Sequence, residues 1–203
     1  MDLVEARSIF SPATGFIARG GFDFTCNPYL GCTFGCTYCY AAYLPQNRRP
    51  VGDWGRWLTA KKNAVELAAK QAKRVAGKAV YMSSVTDPYQ PAERGLMLSR
   101  GILEAMTCHR PRLVVQTRGP LVVRDIDVLS QFEHVRVNFT VPTDSDAVRQ
   151  RFEPKAPPLD RRWTALHELK SAGIPLGVCV TPTLPIEDAT RFADRIAELV
   201  PAV

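Results

Sequence analysis

A partial parallel (β/α) barrel of the α/β class is the fold the sequence predicts, on three observations. Five short β-type runs alternate in series with helical patterns, and each crossover is long enough to bring the next strand back parallel. The 203 residues are 46% hydrophobic, which suits one substantial core. The residues richest in chemistry follow the strands, on the edge where parallel α/β folds carry their active sites.

Residues 1–21 read as an N-terminal extension and residues 22–203 as one core domain. A strand is expected around Phe22 to Pro28, leading into a cysteine-rich loop. Ala64, Leu67, Ala68, Gln71, Ala72 and Val75 then follow one helix face, with only Gln71 polar. "AVYMSS" (Ala79 to Ser84) reads as the second strand. Leu96, Leu103 and Met106 line the next helix, and "RLVVQT" (Arg112 to Thr117) is the third strand. A helix from Leu121 to Phe132 leads to "HVRVNFTV" (His134 to Val141), the fourth. Trp163, Leu166 and Leu169 mark another helix, "IPLGVCVTP" (Ile174 to Pro182) the fifth strand, and Phe192, Ile196 and Leu199 the last helix. Each strand run is short, rich in β-branched residues and bounded by turn residues.

Charged residues make up 23% of the chain, which argues against wholesale disorder. The formal charge of +6 suits an anionic partner such as nucleic acid, or simply a solvated basic surface. The N-terminus is polar and carries acids, and no run approaches transmembrane length. A cytoplasmic, reducing compartment without a membrane partner is the resulting expectation. There, clustered cysteines are ligands rather than disulfides.

"NPYLGCTFGCTYCYA" holds Cys32, Cys36 and Cys39, with Cys26 just upstream. Thiolates are soft ligands for zinc or iron–sulfur clusters. Structural zinc takes four ligands, usually as two pairs, and this run is a triplet without a second pair. Cys26 would complete a zinc site, but on its expected strand it points into the barrel wall. Cys108 and Cys179 read as buried structural thiols. A cluster held by three cysteines leaves one iron open, as a catalytic metal requires. The rival reading is a non-catalytic metal-binding module, zinc or iron–sulfur, that docks nucleic acid.

A Cys-x-x-x-Cys-x-x-Cys run after the first strand of a β–α series, with an aromatic residue (Tyr38) before the last cysteine, resembles the radical S-adenosylmethionine superfamily. "SSVTDPYQPAE" and "RFEPKAPPLDRR" narrow the resemblance to the spore photoproduct lyase and DNA repair photolyase-like group, from about Phe24 to Pro185. The resemblance implies that Cys32, Cys36 and Cys39 hold a [4Fe-4S] cluster whose open iron chelates S-adenosyl-L-methionine. Reductive cleavage of that cofactor yields a 5′-deoxyadenosyl radical for hydrogen abstraction. It implies a lyase-type enzyme, a flavodoxin- or ferredoxin-type electron donor, and a substrate of nucleic-acid type. It implies cofactor contacts by Tyr38 near the adenine, by Thr86 and Asp87, by Arg118 toward the cofactor carboxylate, and by Asn138 toward the ribose. For Thr86 and Asp87 a plain turn is the alternative.

The chain departs from that group in two ways. The tyrosines flanking the last cysteine are kept as Tyr38 and Tyr40, and Tyr40 is the catalytic candidate of the pair. Where those lyases carry a hydrogen-returning cysteine, this chain has Ser83 or Ser84, so Ser84 is the other catalytic candidate. Superfamily barrels usually have six β–α units and this chain shows about five, so the expected architecture is a fragment or a barrel open on one side. Arg48, Arg49, Arg56, Lys61 and Lys62, interleaved with Trp54 and Trp57, and a second group of Arg149, Arg151, Lys155, Arg161 and Arg162, suit a nucleic-acid strand.

Overall fold

The computed structural model describes residues 1–200. The last three residues of the expected core domain lie outside the described residues. In chain order the elements are β1 (Asp2–Val4), β2 (Phe10–Pro12), α1 (Gly15–Arg19), β3 (Phe24–Cys26), β4 (Tyr29–Leu30), β5 (Thr59–Lys61), α2 (Ala64–Gln71), β6 (Ala79–Met82), α3 (Glu93–Leu96), α4 (Leu98–Met106), β7 (Arg112–Thr117), α5 (Ile126–Leu129), β8 (Val135–Thr140), α6 (Asp146–Phe152), α7 (Leu159–Ser171), β9 (Leu176–Cys179) and α8 (Ala189–Ala197).

Six strands form one sheet in the order β2-β3-β6-β7-β8-β9. The five expected strands are its parallel series, β3, β6, β7, β8 and β9, and β2 adds antiparallel to β3 at one edge. A small sheet, β1-β5-β4, stands beside it. Residues 1–21 therefore contribute paired strands to both sheets. No helix among the described residues is long and apolar enough to cross a membrane.

The core lies between the sheet's outer face and the helices. Val80, Met82, Val115, Val137 and Phe139 are fully buried there with Ile102, Leu103, Met106, Leu166 and Leu169. Each such side chain contributes about 1.5–3 kcal/mol by leaving water. The alternate residues, Tyr81, Gln116, Asn138 and Thr140, point to the concave face, where their polarity would be costly without a cavity to serve.

Three helices differ from expectation. The expected face from Ala64 to Val75 is α-helical only to Gln71 and continues as a 3₁₀ turn, Ala72–Val75. The segment with Leu96 and Met106 breaks at Met97, whose φ is 55°. The break lets the Glu93 carboxylate accept from the backbone N–H of Ser99 at 3.0 Å and of Arg100 at 3.4 Å. Glu93 thus caps α4 from the preceding helix. The stretch from Leu121 to Phe132 is a 3₁₀ turn, Pro120–Asp125, followed by the short α5.

Candidate active site

The loop after β3 turns at Gly31, where φ is 77° and a Cβ would lie 2.7 Å from the Trp57 ring. Only glycine fits that position. Four residues on, Gly35 packs so closely on Gly55 that a Cβ on Gly55 would stand 2.6 Å from the Gly35 Cα. These approaches fold the loop so that Cys32, Cys36 and Cys39 all line one cavity of about 320 Å³ above the C-terminal ends of the strands.

The "SSVTDPYQPAE" loop after β6 is the latch on this turn. Thr86 Oγ1 donates to the Gly31 carbonyl at 2.6 Å. The fully buried Gln90 accepts from Thr33 N at 3.0 Å and donates to Thr86 Oγ1 at 3.0 Å. Asp87 accepts from Tyr89 N, Thr117 Oγ1 and Arg118 N at 2.7–2.9 Å. Burial raises the Asp87 carboxyl, and those three donors offset part of the rise. Thr86 and Asp87 both line the cavity, and their side chains also fix its walls. Gln90→Leu is expected to cost about 1–3 kcal/mol, because it strands the Thr33 N–H donor and takes away the donor to Thr86 Oγ1. A urea midpoint unchanged from the parent would contradict this latch.

A second buried network stands behind the cysteines. Arg118 Nη1 lies 3.0 Å from Cys36 Sγ and 2.7 Å from the Tyr38 hydroxyl, and pairs with Glu153. Arg162 holds the other Glu153 oxygen at 2.5 Å, and both of these side chains are fully buried. Burial alone would raise the Glu153 carboxyl, but Arg118 and Arg162 together hold it below its ordinary range. Tyr38 also donates to Glu153 and does not line the cavity. The "RFEPKAPPLDRR" stretch thus supplies the carboxylate and the second guanidinium that seat Arg118 against the cysteines.

Burial pushes the Cys36 thiol up to about 11, with Arg118 pulling it part of the way back. Cys32 and Cys39 are raised as well, again mainly by burial. Such thiols stay protonated at neutral pH until a metal displaces the proton.

The cavity floor comes from the strands. Tyr81 donates to Gln116 Oε1 at 2.9 Å, Gln116 donates to Thr140 Oγ1 at 2.9 Å, and Cys179 Sγ lies 3.6 Å from Gln116 Oε1. Cys179 was expected to be a buried structural thiol; it is half-buried and lines the cavity, because β9 presents it to the concave face. Cys108, expected buried, is exposed in the turn after α4. Cys26 is fully buried in β3, outside the cavity lining, and burial drives its thiol up to about 12. Asn138 is on the concave face but does not line the cavity, which Thr140, two residues on, reaches instead.

Tyr40 and Phe16 meet edge to face at the rim, with ring centroids 5.8 Å apart. The Tyr40 hydroxyl donates to the Ser84 carbonyl. Ser83 and Ser84 both line the cavity. Ser83 Oγ lies 3.4 Å from the Cys26 carbonyl, and Ser84 N donates to Asn27 at 3.0 Å. Among the basic candidates, Arg149 and Arg162 are buried in internal pairs, Lys62 pairs with Glu5, and Arg49 pairs with Asp2 and stacks over Trp57. The basic and aromatic residues therefore do not form one continuous free strip.

Phe16, Tyr81, Gln116, Thr140, Glu153 and Arg162 were not singled out for these roles by sequence reasoning. The available signal was the polar residue at alternate positions of otherwise apolar strands, which locates a concave polar face once the register is known.

The family model for the Radical SAM superfamily matches residues 26–196. The chain is 33% identical over 165 residues to an uncharacterized protein of Methanocaldococcus jannaschii, covering 81% of this chain and 62% of the relative. It is 33% identical over 165 residues to an uncharacterized protein of Acidianus two-tailed virus, covering 77% and 54%. It therefore spans little more than half the length of curated relatives it matches. Among solved structures, a cysteine-to-alanine variant of spore photoproduct lyase superposes with a TM-score of 0.75 at 17% identity, covering 99% of this chain and 58% of that one. A double variant of that lyase with bound AdoMet and dinucleoside spore photoproduct gives 0.72 at 18% identity, covering 97% and 55%.

Proposed function

The chain belongs to the radical SAM superfamily, and on that premise we propose that it is a lyase-type radical enzyme whose Cys32, Cys36 and Cys39 hold a [4Fe-4S] cluster. The observation that carries this reading is the convergence of the three thiols on one cavity, with the Arg118 guanidinium 3.0 Å from Cys36 Sγ. The donor set fits the group: three soft ligands on one loop beside a fixed cation, with the other cavity thiol, Cys179, set apart on the strand floor. Bound there, the cluster and S-adenosyl-L-methionine supply one-electron carbon–sulfur cleavage and a carbon radical for hydrogen abstraction.

The protein's own residues do the rest. Arg118, seated by Glu153, offsets the thiolate charge at Cys36 and presents a cation to the cavity. Gly31 and Gly35 let the loop bend closely, and backbone amides of such a loop would be available to donate to a bound cluster. The Tyr81–Gln116–Thr140 floor offers fixed donors and acceptors for polar groups of cofactor and substrate. The Phe16–Tyr40 pair covers the rim, where it excludes water and presents aromatic surface to a flat substrate.

For that substrate we propose nucleic acid, in keeping with the dinucleoside bound by the similar lyase and the excess positive charge. Spore photoproduct itself is disfavoured by Ser83 and Ser84, since a serine O–H bond is too strong to return a hydrogen atom as a thiol does. The experiment is release of 5′-deoxyadenosine by the anaerobically loaded, reduced protein. Release stimulated by single-stranded or damaged DNA supports the reading. Release that ignores DNA removes the substrate class, and no release removes the activity.

A further inference from the structure

An electron must reach the proposed cluster without crossing the cavity that cofactor and substrate fill. On the outer side of the cysteine loop lies a separate groove of about 350 Å³, lined by Met1, Thr33, Arg56, Trp57, Pro91 and Lys155 among others. It shares no lining residue with the cysteine cavity, yet it touches that cavity's wall twice. Thr33 in the groove directly follows Cys32 in the cavity. Trp57 in the groove meets Trp54 of the cavity edge to face, with centroids 6.1 Å apart.

The groove is cationic. Arg56 is 74% exposed, and its nearest carboxylate, Asp53, is 4.0 Å away. Lys155 is exposed, donates to the Gly55 carbonyl at 2.7 Å, and makes no ion pair among the described residues. No acidic residue lines the groove, and the Met1 side chain leaves an apolar contact 69% exposed beside the cations.

From this placement we propose that the groove is the docking face for a small acidic one-electron carrier protein, of flavin or iron–sulfur type, that reduces the cluster. The proposal rests on the radical-enzyme reading above. One electron leaves the carrier, which is oxidised, and enters the cluster, which is reduced; no bond or proton changes hands. Complementary charge speeds encounter and makes it sensitive to salt, and docking here brings the carrier within one residue of a cluster ligand.

The test is stopped-flow reduction of the anaerobically loaded chain by reduced flavodoxin, with dithionite as a small reductant that needs no docking face. The flavodoxin rate should fall as salt rises, Arg56→Glu should slow it by roughly tenfold, and Arg56→Lys should restore it, while all three proteins reduce equally with dithionite. A flavodoxin rate indifferent to both salt and Arg56, with dithionite reduction intact, overturns the docking face alone. If Arg56→Glu instead weakens single-stranded DNA binding and leaves the flavodoxin rate unchanged, the groove is a nucleic-acid contact and the proposal fails. A chain that takes up no four-iron cluster removes the radical-enzyme reading and this proposal with it.

Discussion

Cys36→Ala will abolish retention of the proposed iron–sulfur cluster, whereas Cys179→Ala will leave it in place. Both thiols line the same cavity, so exposure to the cavity does not distinguish them. Position does: Cys36 sits in the glycine-bent loop beside Arg118, while Cys179 is on the strand floor near Gln116. With one thiolate removed, two protein ligands remain for four irons, and the Arg118 cation loses the anion it faces. Losses of 10–100-fold attend removal of groups that merely support metal ligands, so loss of a ligand should reduce bound iron at least about tenfold. Iron and sulfide analysis after anaerobic loading and gel filtration reads this directly. Equal loss in both variants would contradict the ligand assignment.

Glu153→Gln will destabilise the fold by about 3–5 kcal/mol, the usual cost of breaking a buried ion pair from one side. Glu153 and Arg162 are fully buried, and Arg118 is 17% exposed. Glutamine keeps the shape and leaves the buried Arg162 guanidinium and the partly buried Arg118 guanidinium without their shared anion. That loss is a fifth or more of the stability of about 5–15 kcal/mol typical of a domain. Chemical denaturation of the cluster-free chain, followed by tryptophan fluorescence, measures it without reference to activity.

The same residue sets a pH dependence. Arg118 and Arg162 hold the folded Glu153 carboxyl below its ordinary value of 4.5. In that window the unfolded chain binds more protons than the folded one, so stability rises with pH. The contribution is therefore complete above about pH 4.5 and lost as pH falls through the folded value. Glu153→Gln should flatten the acid limb of the stability curve. An acid limb as steep as the parent's would sink the account of Glu153 as the shared anion.

Much of this architecture could be read from residue pattern. The five parallel strands arise where β-branched runs stand between turn residues, and β7 matches its expected span, Arg112–Thr117, residue for residue. The cysteine loop was legible because three soft ligands at fixed spacing have few other uses. What escaped depends on pairing across the chain. Glu153 lies 35 residues from Arg118 and nine from Arg162, and nothing in the sequence pairs a carboxylate with two arginines expected to face a cofactor and a nucleic-acid strand. Glu93 looks like a first-turn acid, but it caps the following helix. Cys179 looks like a strand thiol, and only the register beside Thr140 turns it to the cavity.

That loop and its neighbours converge on one claim: three cysteines hold a cluster with an iron left for S-adenosyl-L-methionine. The direct measurement is the electron paramagnetic resonance spectrum of the reduced, loaded protein with and without that cofactor. A four-iron signal that changes when S-adenosyl-L-methionine is added is the predicted result. A signal indifferent to the cofactor, or stoichiometric zinc with no iron uptake in anaerobic preparations, would contradict it.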